Sequence, residues 1–212
     1  NITGRLCVLE RGVLMKRDMS YLEQMPIVVL GGGAVGKTVA ADCKLAGREV
    51  RLYSRSRSSI DGVERTGILL DGIQRNLYGF ERSGRAFLDM VSTDMAEAVK
   101  GAGLIVIAIP AHAHEYYLRT LVPLLEDGQV IHIFPDNYAS LLLRKYMKEM
   151  GCHKDVVIGG WASAPYGTRI ESVGGFRMPH VGVKYRAITL RGASQPMSDM
   201  ESFIESTKYL PC

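Results

Sequence analysis

The sequence predicts an α/β fold: a Rossmann-like, doubly wound, mostly parallel sheet with a C-terminal β-hairpin extension. Three observations point there. A glycine-rich turn inside "VVLGGGAVGK" joins an apolar run to an amphipathic one. Short continuous apolar runs, "LIVIAIP" above all, have the character of strands buried on both faces. These runs alternate with segments of helical period, the order that builds a parallel sheet with crossover helices.

Taken in order, "MPIVVL" is a strand entering the glycines, and "AVGKTVAADCKLA" is a helix stopping at Gly47. "EVRLY" is the second strand, which completes a βαβ unit of about 30 residues, the size of a mononucleotide-binding half. "GILLDG" and "NLYGFE" are expected as short strands of a hairpin excursion, and "RAFLDMV" as a further strand. "TDMAEAVKGAG" is a short helix capped by Thr93 or Asp94. "LIVIAIP" is a buried strand, "AHAHEYYLRTLVPLLEDG" a helix, "QVIHIFP" a strand, "YASLLLRKYMKEMG" a helix closed by Gly151, and "DVVIGGWAS" a strand. The alternation then breaks. "TRIESVGGFRMPHVGVKYRAITLRG" is expected to form a hairpin with its turn near Gly174-Gly175, and "MSDMESFIESTKYL" a last helix. Residues 1–24 show no clear period and are expected to be an N-terminal arm or leader, with the dinucleotide-binding domain over 25–212.

Composition narrows the function classes. The 212 residues suffice for one well-cored domain and a little more. The net charge is only +4, and the one dense basic cluster, "RLYSRSRSS", is too short for a nucleic-acid stripe, so no nucleic-acid partner is expected. Four cysteines (Cys7, Cys43, Cys152 and Cys212) lie far apart with no C-x-x-C pair, a pattern that suits a reducing cytoplasm. Cys43 is in helical register with Val35, Val39 and Ala46 and is expected in the core. No segment approaches the roughly 18 apolar residues of a membrane span, and the first residues lack a signal-peptide core. No membrane partner and no metal site are expected.

The glycine turn satisfies two phosphate motifs together. Gly31, Gly33 and Gly36 spell G-x-G-x-x-G, the dinucleotide turn; Gly31 with Gly36-Lys37-Thr38 spells the P-loop. Either one sets backbone N–H groups and a helix N-terminus, here at Ala34 and Val35, against phosphate. A P-loop also needs an acidic residue at the end of another apolar strand to hold magnesium. "GILLD" is too short a strand for that, and in "VIHIFPD" a proline separates the strand from Asp136. Lys37 and Thr38 are then ordinary first-turn helix residues.

The dinucleotide turn has independent support. Gly31 permits the tight turn, Gly33 lets a pyrophosphate approach the backbone, and Gly36 lets helix and strand pack closely. After the second strand, where Asp or Glu holds a free ribose 2′-OH, stand Ser54, Arg55, Ser56 and Arg57. Guanidinium and hydroxyl groups bind a 2′-phosphate that a carboxylate repels, so NADP(H) is the preferred cofactor and NAD(H) the second. Arg55 or Arg57 also has the chemistry to stack on adenine.

The glycine turn, "LIVIAIPAHAHEYYLRTLVPLLEDGQVI" and "APYGTRI" together resemble the N-terminal domain of the opine dehydrogenases, relatives of ketopantoate reductase and glycerol-3-phosphate dehydrogenase. The likeness runs from about Ile27 to about Leu190, and "AIPAHAHE" with its following "DGQ" turn is its most specific part. The resemblance implies reductive condensation, in which NADPH delivers hydride to an imine formed from a 2-keto acid and an amine. It implies that Ile109 and Pro110 lie against the cofactor, and that the helix starting near Ala111 points its N-terminus into the cleft. His114, in register with Leu118, Leu121 and Leu125, is either an edge-of-core histidine or the candidate catalytic group. Tyr166 and Arg169 match the family's "P-Y-x-x-R" pattern and are candidate substrate residues, with a structural role the alternative. Asp136 and Asn137 depart from the small residue of the family. Asn137 is a further substrate candidate, and a helix N-cap is the alternative for both. The family's helical second domain, which carries its acid–base histidine, has no counterpart among these residues. The expected function is therefore the cofactor domain of an NADPH-dependent oxidoreductase acting with a second domain or in a homo-oligomer. A non-catalytic NADP(H)-sensing module is the alternative, and a P-loop nucleotide binder the third.

Overall fold

The computed structural model describes residues 17–72, 82–173, 176–187 and 189–212. The elements run β1 (Ile27–Leu30), α1 (Ala34–Leu45), β2 (Val50–Tyr53), α2 (Arg57–Ile60), α3 (Val63–Thr66), β3 (Ile68–Gly72), β4 (Gly84–Ala86) and β5 (Met90–Ser92). There follow α4 (Met95–Val99), β6 (Leu104–Ile107), α5 (His114–Leu121), β7 (Val130–Ile133), α6 (Ala139–Glu149), β8 (Val157–Trp161), β9 (Tyr166–Val173), β10 (Phe176–Arg186), β11 (Gly192–Ser194) and α7 (Met200–Ser206).

Seven strands form the main sheet in the order β11-β8-β7-β6-β1-β2-β5, all parallel except β11, which runs antiparallel to β8. Its central strands are buried on both faces, as the continuous apolar runs of β1 and β6 require; β7 is equally buried and carries one polar residue, His132. Period-2 alternation deals them to two cores. Ile27, Val29, Leu104 and Val106 pack on the α1 side, and Val28, Leu30, Ile105 and Ile107 on the side of α5 and α6. The expected doubly wound sheet is thus the observed one.

The expected C-terminal hairpin is also present, as β9 antiparallel to β10, although its turn at Gly174-Gly175 lies outside the described residues. It does not stand alone. With β3 and β4 it makes a second sheet, ordered β4-β3-β10-β9, that packs on α1. Two polar contacts fasten it there. Thr38 Oγ1 lies 2.9 Å from Thr168 Oγ1, and the Tyr166 hydroxyl donates to Asp42, whose other oxygen meets Arg82 Nε at 2.6 Å.

Several local expectations change. "RAFLDMV" is two strands in two sheets, β4 and β5, because the chain crosses from the second sheet back to the edge of the first. "NLYGFE" lies outside the described residues. The helix expected over "AHAHEYYLRTLVPLLEDG" is regular only over α5, with tighter 3-10 turns at Ala111–Ala113 and Val122–Leu124, the latter holding Pro123. Residues 17–24 do not form a free arm: Met19 and Leu22 are buried in the α1-side core, and Arg48 donates to the carbonyls of Leu22 and Met25. Leu22 is an apolar side chain with a place in that core, which an aperiodic stretch of sequence does not reveal. Residues 1–16, Cys7 among them, are outside the described part, and Cys43 is in the core as expected. No described helix is long and apolar enough to cross a membrane, and no group of three potential metal ligands occurs among the described residues.

Candidate functional site

The registers set the carboxyl ends of the parallel strands in one row. Leu30 is abreast of Tyr53 and Ile107, and Ile107 of Ile133. From β1 the chain winds to β2 on one side and later returns to β6 on the other. The crevice beyond the ends of β1 and β6 is therefore the topological switch point, where ligands bind in open α/β sheets.

The glycine turn is built for that crevice. Gly31 has φ +134°, and a Cβ there would come within 2.3 Å of the Ala108 carbonyl oxygen. At Gly36 a Cβ would come within 1.8 Å of the Gly31 carbonyl oxygen, so the first turn of α1 lies directly on the loop. Gly33, the N-cap of α1, is different. It is exposed, its φ is an ordinary −79°, and a Cβ would meet nothing within 4 Å. No side chain caps α1, so the N–H groups of its first turn, including Ala34 and Val35, face the space beside Gly33 without an intrahelical partner. Crowding at Gly31 and Gly36, with openness at Gly33, fits a dinucleotide pyrophosphate seated on the helix N-terminus.

The same loop disposes of the P-loop residues. Lys37 is only 4% exposed, and its ammonium turns back to the carbonyls of Gly32 (3.0 Å) and Ser59 (2.5 Å). Thr38 is fully buried, its hydroxyl engaged with Ala34 O and Thr168. Neither group is presented to a triphosphate or its magnesium.

Past β2, Ser54 is buried beside Gly32, and its N–H donates to Ser92 O at 3.2 Å. Arg55 is exposed. Its backbone N–H donates to the Tyr117 hydroxyl at 3.2 Å, and its guanidinium carbon sits 5.0 Å from the centre of the Tyr116 ring. Arg57 heads α2 and pairs with Glu64 at 2.9 Å, both side chains half in solvent. The structure thus separates two arginines that are alike in sequence: one lies over a tyrosine, the other faces a carboxylate. Tyr53, Tyr116 and Tyr117 were not anticipated. Tyr53 is edge-on to Tyr117, and burial, then a hydrogen bond to Tyr116, raises its phenol above the ordinary value. The only signal in the sequence is "EYY" in the first turn of α5, and which strand end that turn meets is a tertiary fact.

Ile109 and Pro110 follow the end of β6. Ile109 is 6% exposed with its side chain against Gly31, and Pro110 is exposed. His114 opens α5 and is 2% exposed, and its Nε2 has no partner among the described residues. Burial lowers its pKa, opposed by the charge of Asp136, so the ring is neutral at neutral pH.

The other expected residues divide. Asp136 is not the N-cap of α6, which is Tyr138, but its carboxylate accepts from Ser140 N in the first turn at 2.7 Å and from Ser140 Oγ at 2.9 Å. Asn137 does not cap; it is exposed with φ 42°, beside Tyr138 at φ 66°. Tyr166, a substrate candidate with a structural role as the alternative, is 6% exposed and its hydroxyl donates to Asp42, the arrangement of the structural alternative. Arg169 is exposed on β9, in the second sheet. The structure gathers the glycine turn, Ser54, Arg55, Ile109, Pro110 and His114 around the ends of β1, β2 and β6, and leaves Tyr166 out.

Comparison with known proteins agrees with this geometry. The chain is 28% identical over 154 residues to an opine dehydrogenase of Arthrobacter sp. (strain 1C), covering 72% of this chain and 41% of that protein. It is 32% identical over 105 residues to the glycerol-3-phosphate dehydrogenase [NAD(P)+] of Moorella thermoacetica, covering 50% of this chain and 29% of that one. The chain thus spans well under half the length of these relatives. Among solved structures, octopine dehydrogenase with NADH and L-arginine superimposes with a TM-score of 0.67 at 20% identity, over 80% of this chain and 42% of that one. The ketopantoate reductase of Ralstonia eutropha superimposes at 0.55 and 17%, over 75% and 46%. These two likenesses are of fold. Residues 26–135, just over half of the chain, match the family described as the NAD-dependent glycerol-3-phosphate dehydrogenase N-terminus. The crevice, the open glycine and the family model converge: the chain belongs to the NAD-dependent glycerol-3-phosphate dehydrogenase N-terminus family and carries the NAD(P)-binding domain of a dehydrogenase.

Proposed function

We propose that this domain binds NADP(H) in preference to NAD(H) and serves an opine-type oxidoreductase, which joins a 2-keto acid to an amine by reducing their imine. The cofactor, when bound, supplies the hydride. The observation that carries the preference is the end of β2, where Ser54 and Arg55 stand in place of a carboxylate and the Arg55 guanidinium has no ion-pair partner among the described residues. A dianionic 2′-phosphate gains charge-assisted hydrogen bonds there, whereas a bare ribose 2′-OH finds no acid to accept from it. The imine chemistry is supported by the likeness to an opine dehydrogenase over 72% of the chain.

The domain's own residues seat the pyrophosphate (Gly31, Gly33, Gly36 and the first turn of α1), hold the adenosine end (Ser54, Arg55) and wall the crevice (Ile109, Pro110, His114). Reduction of an imine also needs a proton donor in reach. A neutral, buried His114 is poorly suited to that part, so we assign the donor to a second domain of the opine-dehydrogenase kind. Titration of the single tryptophan, Trp161, with NADPH, NADH and Mg-ATP tests the cofactor assignment. The expected outcome is NADPH binding about tenfold tighter than NADH, with no response to Mg-ATP. Tight magnesium-dependent ATP binding, lost in Lys37→Ala, would overturn it.

A further inference from the structure

We propose that Tyr116 is the positioning residue of the 2′-phosphate clamp: it holds the Arg55 guanidinium over its ring at the carboxyl end of β2, so that the arginine meets an adenosine 2′-phosphate already ordered. The inference rests on the NADP(H) preference proposed above and adds the residue that sets its strength.

Four contacts carry it. The guanidinium carbon of Arg55 lies 5.0 Å from the Tyr116 ring centre, within the range in which a cation is drawn to an aromatic face. The Arg55 backbone N–H is tied to the Tyr117 hydroxyl at 3.2 Å, so the loop after β2 is joined to α5 at the same residue. Tyr117 stands edge-on to both Tyr53 and Tyr116, with ring centres 5.6 and 5.7 Å apart. Tyr53 is 2% exposed at the end of β2 and Tyr117 is 5% exposed, so both rings are anchored in the core. Tyr116 is 44% exposed, yet its position is set from the buried side by this cluster.

A guanidinium uses its face for the aromatic ring and its edge for hydrogen bonds, since its five N–H groups lie in its plane. The contact with Tyr116 is electrostatic and occupies no hydrogen-bond acceptor, and Arg55 has no ion pair among the described residues, so its N–H donors are available for a phosphate. An exposed arginine loses rotamer freedom when it closes on an anion. Here part of that loss falls in the free protein. Arg57 is not equivalent, because Glu64 holds its guanidinium at 2.9 Å and puts a negative charge beside it.

The test compares adenosine 2′,5′-bisphosphate with adenosine 5′-monophosphate by calorimetry on the 212-residue chain and on Arg55→Ala, Tyr116→Phe and Tyr116→Leu, with the Tm of each recorded. The parent chain is expected to prefer the bisphosphate by about tenfold, and Arg55→Ala to abolish that preference. Tyr116→Leu is expected to cut the preference about threefold to fivefold at little change in Tm, and Tyr116→Phe, which keeps the aromatic face, to retain most of it. A preference that depends on Arg55 but is the same in Tyr116→Leu overturns this inference and leaves the cofactor assignment standing. A parent chain without preference, or one whose preference survives Arg55→Ala, overturns both.

Discussion

The indole N–H of Trp161 donates to Nδ1 of His132 across 3.2 Å, and this contact fixes the state of a histidine with no access to solvent. Nδ1 is the acceptor, so the ring proton is on Nε2, which donates to Ser206 Oγ at 2.9 Å; the serine in turn donates to Phe203 O. The ring is neutral, satisfied at both nitrogens and stacked among Phe134, Trp161 and Phe203.

Burial pushes the His132 pKa from 6.5 down to about 3. The unfolded chain takes up a proton at this residue from near pH 6.5 downward and the folded chain does not. Stability is thus full above pH 6.5 and falls as pH drops through the window toward 3, by about 1.4 kcal/mol per pH unit for one proton. The shift at His114 has the same sign. Urea unfolding of the parent chain and of His132→Gln between pH 7 and pH 4.5 measures this. The variant is less stable at pH 7 and its curve is flatter; parallel curves would show that His132 is not the group that titrates.

Two glycines of one motif respond differently to a methyl group. In Gly36→Ala the new Cβ meets the Gly31 carbonyl, so helix and loop must separate, at a cost of about 1–3 kcal/mol. Gly33→Ala places its Cβ in open space at an ordinary φ, so its thermal midpoint stays within a few degrees of the parent. Its methyl nonetheless occupies the approach to the helix N-terminus, and NADPH affinity falls about tenfold or more. Calorimetry and a melting curve on both variants check the pair. Unimpaired binding in Gly33→Ala removes the pyrophosphate from this turn.

Glu64 pairs with Arg57 at 2.9 Å, so under the proposed NADP(H) preference it would compete with the 2′-phosphate for that guanidinium. Replacing it in Glu64→Gln removes a nearby negative charge and frees the guanidinium, which tightens NADPH by about twofold to threefold and leaves NADH unaltered, an effect of the size of a surface ion pair. Arg57→Ala weakens NADPH less than Arg55→Ala does. The comparison is made at low and at physiological salt, since screening shrinks it. An Arg57→Ala loss larger than that of Arg55→Ala contradicts the ranking.

The 212-residue chain is expected to bind NADPH without sustained turnover. A proton donor must sit beside the reacting carbon, and His114 is neutral and shielded. Steady NADPH oxidation is followed across a panel of 2-keto acids and amines. Robust turnover that disappears in His114→Ala would show that the domain carries its own acid.

Much of this was legible in the chain because it is local. A parallel strand buried on both faces favours a continuous apolar run, which marks β1 and β6, and β7 apart from its one polar residue, His132. A helix that lies on a strand turn needs glycine at the contact, which marks Gly31 and Gly36. Asp94, one of two expected caps, accepts from Ala96 N and Glu97 N because that geometry is set within three residues. The position of Ser54, Arg55 and Arg57 beyond β2 was legible for the same reason, since they follow a strand whose place in a βαβ unit is fixed by its length.

What the sequence by itself determined is the set of elements, the glycine turn and the basic loop, all of which depend on residues a few positions apart. The tertiary structure decided the partners. It joined β3 and β4 to β9 and β10, about a hundred residues later, into one sheet over α1, and it took Tyr166 into a buried contact with Asp42. It also buried Leu22 beneath Arg48, placed Arg55 over Tyr116, and gave Arg57 to Glu64. Each of these pairs comes together only when separate elements pack. A strand's free edge and a side chain's free hydrogen bonds record that a partner is needed, and the packing of the whole chain selects which one it is.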